Sequence, residues 1–236
     1  EDEIGLGKSH DGILILPSDV KIGTLAKEYF NVEEDYILDV DITPNRADAL
    51  SHFGVARDLS AYYKFNGREI TAKFPSINEL DKKANLPFQI NIEDREACSR
   101  YVGVSIKGVS VGNSPDWLQK RLNSIGLTPI NNIVDVTNFV LHELGQPLHA
   151  FDYAISGQEV NVKSNSGGEK FITLDGEERE LKNGQLIICN QKEPLCIAGV
   201  FGGEKSGVTE STTDVFLESA YFNPVSVRTT SKDHGL

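Results

Sequence analysis

Residues 128–152 read TPINNIVDVTNFVLHELGQPLHAFD, and the architecture builds outward from them. Ile133, Val136, Val140 and Leu144 recur at spacings of three and four, which predicts an amphipathic helix over residues 131–144. Gly145 and Pro147 then stop it, because glycine ends helices readily and proline cannot continue one. Gln146 and His149 are thereby placed on a loop just past the helix end, held between packed elements.

Downstream, short apolar runs predict strands at EVNVKS (159–164), KFITLD (170–175), QLIICN (185–190), PLCIAGV (194–200) and DVFLES (214–219). Asp175-Gly176 is a hairpin turn between two of them. Upstream, PFQINIED (87–94) and RYVGVSIKGVSV (100–111) also read as strands. Ser114-Pro115-Asp116-Trp117 reads as a helix start, with a Ser cap, Pro at the first helical position and then an acid. Leu118, Leu122 and Ile125 supply its buried face, and Gly126 ends it. In the N-terminal part, DGILILP (11–17) and DYILDVDI (35–42) read as strands. A turn at Thr43-Pro44-Asn45-Arg46 leads into a helix capped by Asp48 or Ser51, striped by Phe53, Ala56, Leu59, Ala61 and Tyr63, and ended by Asn66-Gly67. Tyr62 and Tyr63 are expected in the core. Strands and helices mix without regular βαβ alternation, which predicts an α+β fold with mostly antiparallel sheet. Two prolines and a charge run in residues 74–87 suggest a boundary. The expected organisation is a small α/β module over 1–75, a linker over 76–86 and a larger module over 87–236.

The 236 residues carry a net charge of −12, and residues 1–50 hold 12 acids against 4 bases. A generic nucleic-acid coat is basic, because phosphate contacts dominate such binding. That class is excluded and no DNA partner is expected, although one RNA end can still meet a local patch. No apolar run approaches a bilayer span, and no signal peptide is visible. A cytoplasmic location with no membrane partner is the expectation. Cys98, Cys189 and Cys196 form no C-x-x-C pair, so reduced buried thiols are expected rather than a disulfide framework or a zinc site. The chain opens at Glu1 and reads as an excerpt. Methionine is absent throughout, and an intact mass above 25.9 kDa would reveal methionines omitted from the sequence.

GVFGGEKSGV (199–208) superficially suggests a phosphate loop, but Glu204 stands where glycine must precede Lys205-Ser206, and no long helix follows. A tight turn with positive φ at Gly202 and Gly203 is the favoured reading, with close backbone approach to a ligand as the alternative. His149 taken alone reads as a hydrogen-bonded structural residue. Strict alternation in DVFLES puts Phe216 and Glu218 on one face. From spacing, a half-buried carboxylate and a solvent-facing edge glutamate remain equally open. A turn and a cap suffice to explain Asn45, Arg46 and Asp48.

Three ordered stretches carry a resemblance. Residues 128–152 resemble the B3/B4 module of the β subunits of bacterial phenylalanyl-tRNA synthetases. DVDITPNRADALSHFGVARDLSAYY (39–63) resembles the end of their B1 module, and IAGVFGGEKSGVTESTTDVFLESAYFNP (197–224) the later part of B3/B4. The resemblance spans nearly the whole chain. It implies part of B1 followed by a C-terminally incomplete B3/B4 module, since the family's later pocket Thr and Ala lie beyond Leu236.

That resemblance also implies a function. The family's enzymes are aminoacyl-tRNA ligases of protein biosynthesis that join phenylalanine to its tRNA with ATP and magnesium, in an α₂β₂ assembly whose α subunit holds the synthetic site. No ATP, phenylalanine-activation or metal motif is present in this segment, so no cofactor is expected within it. Its implied activity is hydrolysis of tyrosine wrongly esterified to tRNA(Phe). The implied partners are the tRNA(Phe) acceptor end and the α subunit. Carried over by motif, His149 lines the hydrolytic pocket, Glu218 contacts the tyrosine hydroxyl and Gly202 borders the pocket. Thr128 stands where the family usually has an arginine near the tRNA end, so that contact is not implied. The alternative is a non-catalytic scaffold or tRNA-positioning module of the same synthetase.

Overall fold

The aliphatic run at residues 13–16 does not form the strand that its composition predicts. In the computed structural model, which describes residues 12–30, 35–77 and 87–236, these residues have no ladder partner, and Ile13 and Ile15 are 90% and 89% exposed. Residues 35–42 likewise form no strand, and Tyr36 is 91% exposed. A strand is stable only when a neighbour takes its N–H and C=O groups, and no described strand pairs with either run. The described residues up to Asp39 belong to one unit, which contains the short helix α1 (Ala26–Tyr29). Val40–Leu236 forms the other. Most of the expected 76–86 linker lies outside the described residues.

In the larger unit, Arg46 N donates to Thr43 O at 2.9 Å, closing the expected turn. Helix α2 (His52–Phe65) follows, and Ser51 rather than Asp48 caps it, with Oγ accepting from Gly54 N at 3.0 Å. Asp48 is taken up by ion pairs with Arg46 and Arg57. Asn66 and Gly67, the latter at φ 77°, end the helix as expected. Tyr62 is 63% exposed, so the core expectation fails for it, while Tyr63 is half-buried.

The chain continues through β1 (Gln89–Ile92), β2 (Cys98–Lys107), α3 (Asp116–Ser124), α4 (Asn132–Leu144), β3 (Leu148–Asp152), α5 (Tyr153–Ser156) and β4 (Glu159–Ser164). Then come β5 (Glu169–Ile172), β6 (Glu178–Leu181), β7 (Leu186–Cys189), β8 (Pro194–Ile197), β9 (Phe201–Gly202), β10 (Asp214–Phe222) and α6 (Pro224–Asp233). Among the described residues these strands form three sheets, ordered β1-β4-β7-β8-β9, β2-β10-β3 and β5-β6. Every strand pair is antiparallel except β1 with β4. The fold is α+β with mostly antiparallel sheet, as the sequence predicts.

The main core lies between the five-stranded and three-stranded sheets. Tyr101, Phe151 and Phe216 from one meet Val160, Val162, Leu186, Ile188, Leu195 and Cys196 from the other. The opposite face of the five-stranded sheet presents Ile187 and Ile197 to Phe171 and Leu181 of the β5-β6 hairpin. Strand β7 is therefore covered on both faces, which explains its unbroken run LIIC. Gly176, at φ 79°, sits in a hairpin turn as expected, but the strand after it is β6 (EREL), which the apolar runs do not mark, since its residues alternate with charges. Cys98, Cys189 and Cys196 are free and buried.

Helix α4 packs on β3 and between α2 and α3. Gly145 ends it at φ 79°. Its most buried residues are not the predicted apolar stripe, since Val136 is 50% exposed while Asp135 is fully buried. Asp135 is satisfied by two donors: Ser114 Oγ at 2.5 Å on Oδ2 and Ile130 N at 2.8 Å on Oδ1. Ser114 is thus engaged elsewhere and does not cap α3, where Pro115 takes the cap position at φ −62°.

Candidate functional site

Strand β10 brings the predicted residues together. Its alternation buries Phe216 at 1% and Glu218 at 6% exposure, which decides between the two readings of Glu218 in favour of the buried carboxylate. Across the β3 pairing, Phe216 is opposite Phe151 and Glu218 opposite His149. Cross-strand partners share a face and lie about 5 Å apart at Cβ, so His149 and Glu218 are direct neighbours over the core.

His149 is in β3 and not on the loop that the sequence suggests. The chain needs only residues 145–147 to turn from α4 into the strand, and Gln146 Nε2 fastens that turn by donating to Ala220 O at 3.2 Å. Pairing with β10 then takes over at Leu148. The imidazole stands edge-on to Phe151, with centroids 4.4 Å apart and planes at 73°. The residue is half-buried as a whole, yet its Nε2 is sealed from solvent and has no hydrogen-bond partner among the described residues. Burial pushes its pKa down to about 4, so the ring is neutral at neutral pH.

Gly202 closes over this ring. Its φ is not positive, nor is that of Gly203 at −83°, so the tight-turn expectation is overturned. Close approach is what requires these glycines. A Cβ on Gly202 would lie 3.0 Å from His149 Cε1 and 2.9 Å from Leu174 Cδ1, and one on Gly203 would lie 2.7 Å from Leu195 O. The loop's amides turn inward, with Gly203 N donating to Leu195 O and Ser206 N to Gly203 O. Only a 3₁₀ turn, Glu204–Ser206, follows. The loop therefore does not present the amide cradle of a phosphate site.

Glu218 has one partner that sequence reasoning missed. Tyr101 of β2 donates its hydroxyl to Glu218 Oε2 at 2.6 Å. Alternation in RYVGVSIK gives no signal of it, since its more apolar face is Val102, Val104 and Ile106, which are 40–44% exposed while Tyr101 is buried. A buried tyrosine needs an acceptor just as a buried carboxylate needs a donor. Nothing local says that the two meet across 117 positions. Desolvation pushes the Glu218 carboxyl up to about 7, against the Tyr101 hydrogen bond, which lowers it. Burial and the nearby Glu218 charge also push Tyr101 far up, Cys98 up to about 11, and Cys196 well up.

Two cavities flank the cluster. One of about 240 Å³ lies between Phe171, Leu195 and Ser206, and one of about 350 Å³ between Tyr153, Thr209 and Asp214; His149, Glu218 and Gly202 line neither. Among the described residues no group of three or more His, Cys, Asp or Glu side chains is placed to hold a metal ion, and no helix is long and apolar enough to cross a membrane. The arrangement offers a buried carboxyl that accepts a hydrogen bond from the Tyr101 hydroxyl, beside a neutral imidazole whose Nε2 has no partner among the described residues.

A family model described as the B3/4 domain matches residues 97–236. The phenylalanine–tRNA ligase beta subunit of Bacteroides fragilis is 57% identical over 238 residues, covering 100% of this chain and 29% of that protein. Those of Bacteroides thetaiotaomicron and Fusobacterium nucleatum are 55% and 44% identical at the same coverage. The chain thus spans about three-tenths of the length of these curated relatives. An N-terminal fragment of the phenylalanyl-tRNA synthetase β-subunit from Pyrococcus horikoshii aligns at a TM-score of 0.44 with 18% identity, over 78% of this chain and 55% of that one.

Proposed function

Because the chain belongs to the B3/4 domain family, we propose that it is the editing portion of a phenylalanine–tRNA ligase β subunit, hydrolysing tyrosine misattached to tRNA(Phe). The parent ligase joins phenylalanine to tRNA with ATP and magnesium, alongside an α subunit in an α₂β₂ assembly. The described residues include no group of three or more His, Cys, Asp or Glu side chains placed to hold a metal ion. A B1-like module over 1–75, linked through 76–86 to the B3/B4 module over 87–236, is the organisation that goes with this reading.

The observation that carries it is the placement of Glu218 directly opposite His149, with the imidazole Nε2 buried and unpartnered. Tyrosine differs from phenylalanine by one hydroxyl, and an apolar synthetic pocket rejects an added hydroxyl imperfectly. A second pocket built on a buried acceptor reverses the preference. Phenylalanine leaves that acceptor unsatisfied, at about 1–3 kcal/mol for each orphaned group. In this scheme Glu218 accepts the phenol hydrogen bond, and His149, neutral through burial, orders the ester carbonyl or the attacking water. Backbone at Gly202 shapes the wall. Water adds to the ester carbonyl, the bond to the ribose oxygen breaks, and tyrosine and tRNA leave. An aminoacyl ester is reactive enough that positioning supplies much of the rate.

A scaffold role is the second reading, favoured by one observation: aromatic side chains and Tyr101 fill the space around Glu218, and the two cavities lie elsewhere. Deacylation of tyrosyl- and phenylalanyl-tRNA(Phe) by the 236-residue chain and by the complete synthetase separates the two. Editing predicts preferential loss of tyrosine, and loss of that preference in Glu218→Ala. Equal rates for both esters, unchanged by the substitution, refute the role given to Glu218.

A further inference from the structure

Tyr101 and Glu218 are not opposite each other in the β2/β10 ladder. Glu218 is paired with Gly103, and Tyr101 with Ala220, so the phenol reaches diagonally along the buried face. The space beside that diagonal is filled by Phe216, and only because residue 103 has no side chain: a Cβ there would lie 2.2 Å from Phe216 Cζ. Phe216 stacks on Phe88 at 3.7 Å with planes 6° apart, and lies nearly parallel to Tyr101 at 6.5 Å and 10°. The Tyr101 ring is therefore fixed in plane by its neighbours. Its hydroxyl is held on one carboxylate oxygen, in a core where both residues are less than a tenth exposed.

We propose that Tyr101 is a positioning residue of this pocket, pinning Oε2 of Glu218 so that Oε1 is the atom presented to the phenol of a tyrosyl ester. The inference rests on the editing reading above. A carboxylate with both oxygens free to rotate would meet phenol and water alike; one with a single oxygen pinned offers one direction. The same bond acts on ionisation. A hydrogen bond to the charged form favours it, and Tyr101 opposes the desolvation that drives Glu218 towards its acid form. The other titratable groups of the cluster are Cys98, Cys196 and His149. Burial and the charge of Glu218 keep the two thiols protonated, and burial keeps His149 neutral. None of the three neutralises the carboxylate, so its ionisation depends on the Tyr101 hydroxyl.

Tyr101→Phe deletes one oxygen and keeps the ring and its stacking. In the complete synthetase, preference for the tyrosyl over the phenylalanyl ester should rise with pH through neutrality, as Glu218 ionises. In Tyr101→Phe that midpoint should move up by roughly one pH unit, a tenfold loss at pH values below it. Discrimination should return in alkaline buffer, which a merely misfolded pocket would not show. Fluorotyrosine at position 101, a stronger donor that keeps the oxygen, should move the midpoint down. Infrared titration of the protonated carboxyl band missing from Glu218→Gln should give the same two directions without any substrate. An editing-active enzyme whose midpoint moves in neither variant overturns this assignment and leaves the editing reading intact. An unsubstituted enzyme that deacylates neither ester overturns the editing reading, and this assignment with it.

Discussion

Replacing Glu218 by Gln should make the chain more stable at neutral and alkaline pH, while removing the discrimination for tyrosine that the proposed editing role assigns to it. The amide retains the side-chain volume and an oxygen for the Tyr101 hydroxyl, so the geometry is kept and only the charge is lost. The carboxyl titrates at about 7 when folded and at about 4.5 when free. A raised folded pKa means that the native state binds more protons between those values. The stability contributed by Glu218 is therefore complete below about pH 4.5 and is lost as pH rises through 7. A separation of about 2.5 pH units is worth about 3 kcal/mol. His149 shows the opposite trend. Its folded pKa of about 4 makes the chain gain stability as pH rises from there towards 6.5, but that trend is common to both proteins and cancels in the comparison. Urea midpoints of the two 236-residue chains, measured from acid to alkaline buffer, should diverge by about 3 kcal/mol and then run parallel above neutrality. Curves that stay parallel across the whole range would refute the argument that Glu218 is a desolvated charge.

Other substitutions test the packing that holds the site. Gly103→Ala places a Cβ 2.2 Å from the Phe216 ring and should cost about 1–3 kcal/mol by thermal melting. The double variant with Phe216→Leu should recover part of that loss, because the two residues share one space. Ser114→Ala strips a donor from the fully buried Asp135 and should cost about 1.5–3 kcal/mol in urea denaturation, the range for a bond to a charged group. Gly202→Ala would bring a methyl to 3.0 Å from His149 Cε1 and 2.9 Å from Leu174 Cδ1. Tyrosyl-tRNA deacylation should fall by about tenfold as the imidazole shifts, with little change in melting temperature, since both contacts are to side chains.

What the sequence made legible was local. The span of α4, its Gly145 stop and the Asp175-Gly176 hairpin each follow from a few adjacent residues. The alternation that buries Glu218 was readable in DVFLES, but its burial was not, because depth depends on which sheet covers the strand. Ser114 fits every cap rule, yet Asp135, twenty-one positions away, takes its hydroxyl. The runs at 13–16 and 35–42 have the composition of strands, yet no described strand pairs with either, and composition does not record pairing. At Gly202 the pattern favours a tight turn over close approach, whereas contact with His149 and Leu174 is the constraint. The resemblance identified His149, Glu218 and Gly202 by motif, and the structure brings those three together. It said nothing of Tyr101, whose partnership is a property of register.

That register also has a kinetic side. β2 pairs with β10 across more than a hundred residues, whereas β5 with β6 and β7 with β8 are near neighbours in the chain. Pairings closed over long loops form late, because the entropy of loop closure is lost before the contacts are gained. During synthesis the hairpins can fold as they emerge, but Tyr101 must wait for Glu218 to be made. Until then both backbone edges of β2 are unpaired, and such a segment is prone to adhere to other nascent chains. Tyr101 and Glu218 are thus joined at a late stage of folding, after the local hairpins that frame them have formed.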